Sequence, residues 1–215
     1  MSASGSKSPQ APRARPTLES RVSLLKEFSR RGILLKQDSH LPDAVGFMAG
    51  GPIRGSWWSH PGAHALFDAL QEFSQAPDVL LVKLVGGKDT FVHRRLWSAL
   101  LGVAQEGAAW QVDGLTPAAE TLLASVSAQG SVQATGAAAK EIQLRLLAHG
   151  RQVHTESGRH ALVLEPWSEW QRRKKVKALA PEAGRELLES VLAEMGGKAD
   201  LLPWRRRKRT VKRIP

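Results

Sequence analysis

The sequence predicts an α+β fold in which two units, each made of helices and a β-hairpin, lie between basic tails. Apolar residues recur at helical spacing in several segments, and two pairs of short strand-like runs, at 79–97 and 150–167, flank turn residues. Positive charge is concentrated at both ends of the chain. The 215 residues are enough for one or two small domains with a buried core.

The net charge of +11 is distributed unevenly along the chain. Residues 1–16 carry three basic and no acidic groups, and residues 203–215 carry seven basic and no acidic groups. The stretch 17–170 holds 14 basic against 15 acidic groups and is therefore close to neutral. Basic tails attract polyanions without specifying a sequence. We therefore expect contact with nucleic acid, with a solubilising tail or a general affinity for RNA as the alternatives.

Cysteine is absent, which excludes disulfide frameworks, thiolate metal sites and cysteine nucleophiles and fits a reducing compartment. No apolar run approaches the roughly 18 residues that a membrane span requires. The N-terminal residues also lack the apolar segment of a secretory signal. We therefore expect a cytoplasmic, nucleoid-associated protein that does not bind membranes.

The first unit is expected at 17–110. Thr17 is a candidate N-cap for a helix in which Leu18, Val22, Leu25 and Phe28 stand at helical spacing and Gly32 lies near the end. An ordered Gly/Pro-rich loop follows, and a second helix covers 63–73. The runs "VLLVKLV" and "TFVHRRLW" predict a β-hairpin with the four-residue loop "GGKD", and a short helix beginning at Trp97 closes the unit.

The second unit combines two helices with a ribbon. A helix at 117–129 follows the N-cap Thr116, "SVQATG" forms a short turn, and a second helix covers 137–149. Two strands at 151–165 then fold around a corner at Ser157 and Gly158. This order predicts a winged helix-turn-helix. The full expected organisation is a disordered basic tail (1–16), a helix/β-hairpin unit (17–110), a winged-helix domain (115–170), a basic linker with an amphipathic helix (171–202) and a basic tail (203–215).

The register of the ribbon follows from a two-residue turn. Such a turn places Glu156 opposite Arg159, Thr155 opposite His160, and Val153 opposite Leu162. Val153, Leu162 and Leu164 would then share the face that packs on the helices, with polar groups at the outer end. A ribbon this short is not stable alone and needs the helices beneath it.

The helix at 137–149 is the expected recognition helix, with 151–165 as the wing. Ala139, Ile142, Leu146 and His149 form its inward stripe at 100° per residue. The opposite side is expected to enter the major groove of duplex DNA while flanking cations grip phosphates. The expected contact residues are Gln133, Thr135, Lys140, Gln143, Leu144, Arg145, Arg151, Arg159 and His160, together with Arg205, Arg206, Arg207, Lys208 and Arg209 of the tail.

The stretch "GSVQATGAAAKEIQLRLLAHGRQVHTESGRHALVLEPWSEW" resembles bacterial winged-helix DNA-binding proteins, and more loosely proteins related to the AlkZ-type DNA glycosylases. The resemblance covers about 116–170 and implies nucleic-acid binding. AlkZ-type enzymes use a Gln-x-Gln or Gln-x-Asp motif to position a water against the glycosidic carbon. Gln111 and Asp113 of "WQVDG" have that spacing, in a short loop before Thr116. The chain is far shorter than those enzymes, which use several winged-helix units.

Other groups of residues in the sequence have both a functional and a structural interpretation. His60 and His64 stand four apart, a metal-binding spacing that His93 would complete, but a capping and a boundary histidine are favoured. Trp57 and Trp58 are candidates for base stacking, but anchoring of their loop is favoured. The "GGKD" stretch lacks the Lys-Ser/Thr ending and following helix of a phosphate loop. We therefore expect no metal and no cofactor.

The sequence thus predicts a DNA-binding protein that acts in DNA repair or transcription regulation, without catalysis. The alternatives are a glycosylase-like repair enzyme using Gln111 and Asp113, and a winged-helix scaffold that binds protein.

Overall fold

The computed structural model describes residues 16–154 and 160–205. They form an α+β fold with two small antiparallel sheets, which confirms the predicted fold class at this level. The described helices are α1 (Leu18–Arg31), α2 (Ala44–Ala49), α3 (Ala63–Ser74), α4 (Trp97–Ala104), α5 (Ala109–Val112), α6 (Pro117–Gln129), α7 (Gly136–Leu144), α8 (Trp167–Lys174) and α9 (Pro181–Glu194). The strands are β1 (Ile33–Leu35), β2 (Val79–Lys83), β3 (Asp89–His93), β4 (Val132–Gln133), β5 (His149–His154) and β6 (His160–Glu165).

None of the helices formed by these residues is long and apolar enough to cross a membrane. Most of both predicted tails falls outside the described ranges, at 1–15 and 206–215. The predicted C-terminal tail begins too early, because Pro203 is buried and the indole of Trp204 donates to Glu189 at 2.7 Å.

The first sheet has the order β1-β3-β2 and is covered on both faces. Leu34 and Phe91 point to the side packed by α1, α2 and α3. Ile33 and Val92, their neighbours in sequence, point to the side packed by α4, α8 and α9. This alternation is the period of two that a pleated strand imposes on its side chains. The hairpin was predicted, whereas β1 was not.

Helix α1 begins at the predicted cap, where the Thr17 hydroxyl accepts from the Ser20 amide at 3.1 Å. Of the apolar residues at helical spacing, only Phe28 is buried. Leu18, Val22 and Leu25 are 79%, 56% and 52% exposed, whereas Leu24 is buried beside Phe28. The side of α1 that faces the sheet is therefore only partly the one that periodicity indicates.

The second sheet has the order β4-β6-β5, so the predicted ribbon is part of a three-stranded sheet. The stretch predicted as a plain turn between α6 and α7 contains β4, which pairs with β6. The predicted register is shifted by one residue: Val153 lies opposite Ala161, and His154 opposite His160. Val153 and Leu162 therefore lie on opposite faces, because a shift of one residue exchanges the two faces of a strand.

Helix α7 ends at Leu144, five residues before the predicted end of the recognition helix. Leu146 adopts a left-handed backbone conformation with φ of 52° and is buried. Its carbonyl accepts the indole N–H of Trp167 at 2.7 Å. This buried bond and the packing of Leu146 into the central core redirect the chain into β5, so tertiary contacts override the helical propensity of 145–149.

The largest hydrophobic cluster crosses the predicted unit boundary. Leu100 and Leu101 of α4 pack in one cluster with Leu146, Trp167 and Trp170 of the second unit. The predicted boundaries at 110 and 170 fall inside α5 and α8. The second sheet and its helices are therefore joined to the first unit by a shared core.

Close packing around α4 depends on two glycines. A Cβ placed on Gly184 of α9 would lie 2.6 Å from the carbonyl oxygen of Ala99, and one on Gly102 of α4 would lie 2.2 Å from the carbonyl oxygen of Leu179, in the segment before α9. Both obstacles are backbone atoms, which cannot move aside as a flexible side chain can. Gly184 thus lets α9 approach α4, and Gly102 lets the preceding segment do so.

We expect Gly184→Ala to lower the free energy of unfolding by about 1–3 kcal/mol, because overpacking outweighs the helical preference of alanine. Urea denaturation monitored by circular dichroism measures this change. Gly51→Ala is the matched control, since a Cβ there meets nothing within 4 Å and its φ lies outside the left-handed region. Equal stability of Gly184→Ala and wild type would contradict close backbone packing of α4 and α9.

Candidate nucleic-acid interface

Three of the predicted DNA-contacting residues are exposed around the beginning of α7. Gln133 lies on β4, Thr135 immediately precedes α7, and Lys140 stands on its outer side. These side chains are accessible to a partner. Among them only Lys140 is charged, so this surface has little intrinsic attraction for phosphate.

The remaining predicted contacts on α7 are turned toward the protein. Leu144 is half-buried, and Gln143 is half-buried with its amide donating to the Ala139 carbonyl at 3.0 Å. These two residues lie beside the rest of the fold and not on an open helix face.

Arg145 serves as a clamp between α7 and the loop before α6. Its guanidinium donates to the carbonyl oxygens of Asp113 at 2.8 Å, Gly114 at 3.1 Å and Gln111 at 3.2 Å, and it pairs with Glu141 at 3.2 Å. Glu141 in turn accepts from the Thr116 hydroxyl at 2.7 Å. The donors of Arg145 are therefore engaged by the protein itself, which a sequence pattern does not reveal.

Gln111 is fully buried and all parts of its amide are bonded. Its Nε2 donates to the carbonyls of Ala104 at 3.0 Å and Arg145 at 3.2 Å, while its Oε1 accepts from the Ala108 amide at 3.1 Å. A glutamine held in this way cannot position a water for hydrolysis. Asp113, its proposed partner, is exposed. This pair therefore functions as part of a loop clamp in the fold and gives no support to the glycosylase alternative.

The wing and tail residues are described in part. Arg151 is exposed on β5, while Arg159 and the side chain of His160 lie outside what the structure describes. Arg205 pairs with Glu189 at 2.8 Å. The tail residues Arg206, Arg207, Lys208 and Arg209 lie outside the described ranges.

A buried hydrogen-bonded network joins the hairpin to α8. The Nδ1–H of His149 donates to Glu165 Oε1 at 2.8 Å, and Arg173 donates to both oxygens of Glu165 at 2.6 and 2.5 Å. The rings of Trp167 and Trp170 lie 5.5 and 6.1 Å from the imidazole. The two tryptophans anchor α8 in the core, and the network fixes the direction in which the rest of the helix projects.

The network sets the protonation states of its members. Burial by itself would raise the pKa of Glu165, but the hydrogen bonds from Arg173 and His149 outweigh burial and lower this pKa to about 2. Burial lowers the pKa of His149, against the raising effect of Glu165. His149 is therefore neutral and Glu165 ionised at neutral pH.

The end of α8 carries the main cluster of positive charge in the described ranges. This basic segment comprises Arg172, Arg173, Lys174, Lys175 and Lys177. Arg172 and Arg173 pair with Glu169 and Glu165 respectively. The three lysines are exposed, and no carboxylate of residues 16–154 or 160–205 pairs with them. The sequence contains the run "QRRKKVK", whose composition indicates a basic linker, and the predicted interface therefore omits these residues.

A crevice of about 470 Å³ separates the two sheets. One wall is formed by β2 and the end of α3, and the other by β5, α7 and α8. The lining has five basic residues and one acidic residue, Asp89, and four glutamines supply amide groups. The basic residues are Lys36, Lys83, Arg151, Arg173 and Lys174, and the glutamines are Gln71, Gln75, Gln143 and Gln152. Lysine and arginine side chains with amide groups are the usual partners of phosphate and base edges.

The two adjacent tryptophans have different environments. Trp57 is 6% exposed and anchors its loop, as favoured from the sequence, whereas Trp58 is 55% exposed. Their rings are stacked at a centroid distance of 4.3 Å, and Trp58 also lies 5.6 Å from Phe67. We refer to Trp57, Trp58 and Phe67 as the aromatic cluster.

The histidines considered for metal binding are dispersed. His60 accepts from the Gly62 amide at 3.1 Å, His64 is exposed on α3, and His93 packs edge-on against Phe28. Within the described part of the chain, no three His, Asp or Glu residues are grouped to hold a metal ion.

Comparison of the chain with protein-family models, curated proteins and solved structures finds no match. The interpretation of this interface therefore depends on its own geometry and charge.

We expect Glu165→Gln to lower the free energy of unfolding at pH 7 by roughly 1–3 kcal/mol, because His149 and Arg173 lose hydrogen bonds to an ionised carboxylate, while the half-exposed Arg173 regains part of that loss from water. Since the folded-state pKa of Glu165 is about 2, below its ordinary value of 4.5, its stabilisation is present above pH 4.5 and is lost as the pH falls toward 2. The lowered pKa of His149 acts in the same direction below its ordinary value of 6.5.

Urea denaturation across this pH range measures both effects. The Gln variant should show a smaller loss of stability than wild type between pH 4.5 and 2, since it lacks the titrating carboxyl. Glu169→Gln is the matched control, because Glu169 forms an exposed pair with Arg172 and should change stability by less than about 1 kcal/mol. Equal effects of the two substitutions would refute a special role for the buried network.

Proposed function

We propose that this chain binds nucleic acid without catalysis, with duplex DNA as the principal target, and that the basic segment grips its phosphates. The observation that carries the proposal is the set of three exposed lysines, Lys174, Lys175 and Lys177, that lack carboxylate partners among the described residues. Lys174 ends α8 and the other two lysines follow it closely, so the fold holds their backbone near one position, which favours phosphate contact over a purely solubilising role.

The end of a helix offers a second reason for cations at this position. Positive side chains in the last turn of α8 interact favourably with the negative end of the helix dipole. The dipole interaction is confined to the last turn, which contains Arg172, Arg173 and Lys174. Lys175 and Lys177 lie beyond that turn, so stabilisation of the helix does not account for positive charge at these two positions.

Within this proposal, residues 116–165 act as a winged helix. Helices α6 and α7 pack with Leu164 of the second sheet in one small cluster that includes Val126 and Ile142. The strand order β4-β6-β5 places the hairpin beside these helices, and Gln133, Thr135 and Lys140 remain exposed near the start of α7. In this arrangement the α7 side supplies contacts to bases and the basic segment supplies affinity. Action in DNA repair or transcription is part of the proposal.

We expect the double variant Lys175→Glu/Lys177→Glu to bind duplex DNA at least tenfold more weakly at about 0.15 M salt, because two phosphate contacts become repulsive. The slope of log affinity against log salt should fall by about two. Fluorescence anisotropy with a labelled duplex measures both quantities. Lys26→Glu/Lys198→Glu is the control of equal charge change, since both lysines are exposed on other elements. An equal loss in the two double variants would show that only net charge matters and would overturn the proposed interface.

Removing residues 206–215 should lower the affinity for all DNA sequences and flatten the salt slope, since the segment carries six basic groups. The truncation begins after Arg205 because Pro203 and Trp204 belong to the packed fold. A chain with the same ten residues in scrambled order should bind as wild type does, because the contact is electrostatic. An unchanged salt slope after truncation would exclude the tail from phosphate contact.

A further inference from the structure

The crevice lies between the edges of both sheets. The strand orders β1-β3-β2 and β4-β6-β5 make β2 and β5 edge strands, and both line the crevice. An edge strand presents backbone groups that have no partner within its own sheet. Such an edge, combined with nearby cations, provides an anion-binding concavity.

The charge inside the crevice is not balanced by the described residues around it. Lys83 pairs with Asp89 at 2.7 Å, and Arg173 is neutralised by Glu165. Lys36, Arg151 and Lys174 line the same space without a carboxylate partner in residues 16–154 and 160–205. Lys36 follows β1, Arg151 lies on β5 and Lys174 ends α8, so three cations from separate segments line one space. Their mutual repulsion costs stability, which a bound polyanion would relieve.

The aromatic cluster adjoins this crevice. Phe67 lines the crevice and also lies 5.6 Å from the exposed ring of Trp58. Trp58 is supported from beneath by the buried Trp57, so its ring is held in place without being covered. A fixed, exposed indole next to a basic groove is the combination that binds unpaired bases and the phosphates that connect them.

A single strand fits these features better than a duplex does. The faces of bases in a duplex are covered by their neighbours, so an indole can stack only on a base that is unpaired and unstacked. The crevice volume of about 470 Å³ is in the range of pockets that enclose small ligands, which suits a nucleotide unit and is far too small for a double helix.

We propose that the crevice between β2 and β5 binds a single-stranded segment of nucleic acid, with its phosphates on Lys36, Arg151 and Lys174 and one base stacked on Trp58. This inference deepens the proposed nucleic-acid binding and rests on it. The outer lysines Lys175 and Lys177 contact duplex phosphates, whereas the crevice takes an unpaired strand.

The test compares three probes on the full-length chain: oligothymidylate, oligouridylate and a duplex of the same length. The crevice variant is Lys36→Gln/Arg151→Gln, which leaves all three lysines of the basic segment in place, and its control of equal charge change is Lys26→Gln/Lys198→Gln on other surfaces. Circular dichroism and thermal unfolding establish that each variant is folded. The crevice variant should bind both single strands at least tenfold more weakly, while its duplex affinity falls by no more than that of the control.

Trp58 supplies an independent readout. Trp58→Ala should weaken single-strand binding by about tenfold or more, whereas Trp58→Phe should retain most of the affinity because phenylalanine also stacks. Binding should quench tryptophan fluorescence in wild type, and Trp58→Phe should lose most of that quenching. Preference for the deoxy or the ribo strand identifies which single-stranded nucleic acid the crevice takes.

The inference is overturned if wild type fails to bind either single strand, or if the crevice variant and its control lose affinity equally. It is also overturned if Trp58→Phe quenches as wild type does. These results are separable from failure of the proposed duplex interface. Loss of single-strand binding in the crevice variant supports the inference even if Lys175→Glu/Lys177→Glu leaves duplex affinity unchanged.

Discussion

A single buried carboxylate, Glu165, joins the hairpin of the second sheet to the helix that follows it. It accepts hydrogen bonds from His149 at the start of β5 and from Arg173 near the end of α8. An ionised carboxylate away from water is costly unless its oxygens are paired, and here both are. Because the three partners come from separate elements, the bonds form only when β5, β6 and α8 are correctly placed. The geometry of the crevice wall and of the basic segment both depend on this network.

The network also explains how one helix serves two purposes. Trp167 and Trp170 bury the first turns of α8 in the core shared with α4, while its last turn and the residues beyond remain in solvent. Rigid support at one end limits the motion of the charged end. Lys174 lies where these two parts of α8 meet: it lines the crevice, and its Nζ lies 5.5 Å from the centre of the Trp97 ring. Positive charge is therefore exposed both along the basic segment and inside the crevice.

Errors in the sequence analysis have a common physical origin. Leu18, Val22, Leu25 and Phe28 have the periodicity of one helix face, yet of these four the fold buries only Phe28, together with Leu24. Arg145 and Gln111 have the residue types expected of a functional surface and a catalytic motif, but their polar atoms bond to backbone carbonyls of the segment 104–114 and hold it in place. Each of these side chains is compatible with two environments, and which of the two it adopts depends on residues remote in sequence. Periodicity and residue type carry no information about those partners.

The sequence by itself determined helices α1, α3, α4, α6 and α9, the hairpin at 79–93, the caps at Thr17 and Thr116, and the concentration of positive charge near the C-terminus, because these follow from local propensity and composition. Only the tertiary structure decided that α7 ends at Leu144, that β4 joins the hairpin, and that Lys36, Arg151 and Lys174 converge. Those features require contacts between segments that can lie more than a hundred residues apart in the chain. Such contacts stabilise the fold only once the shared core has formed.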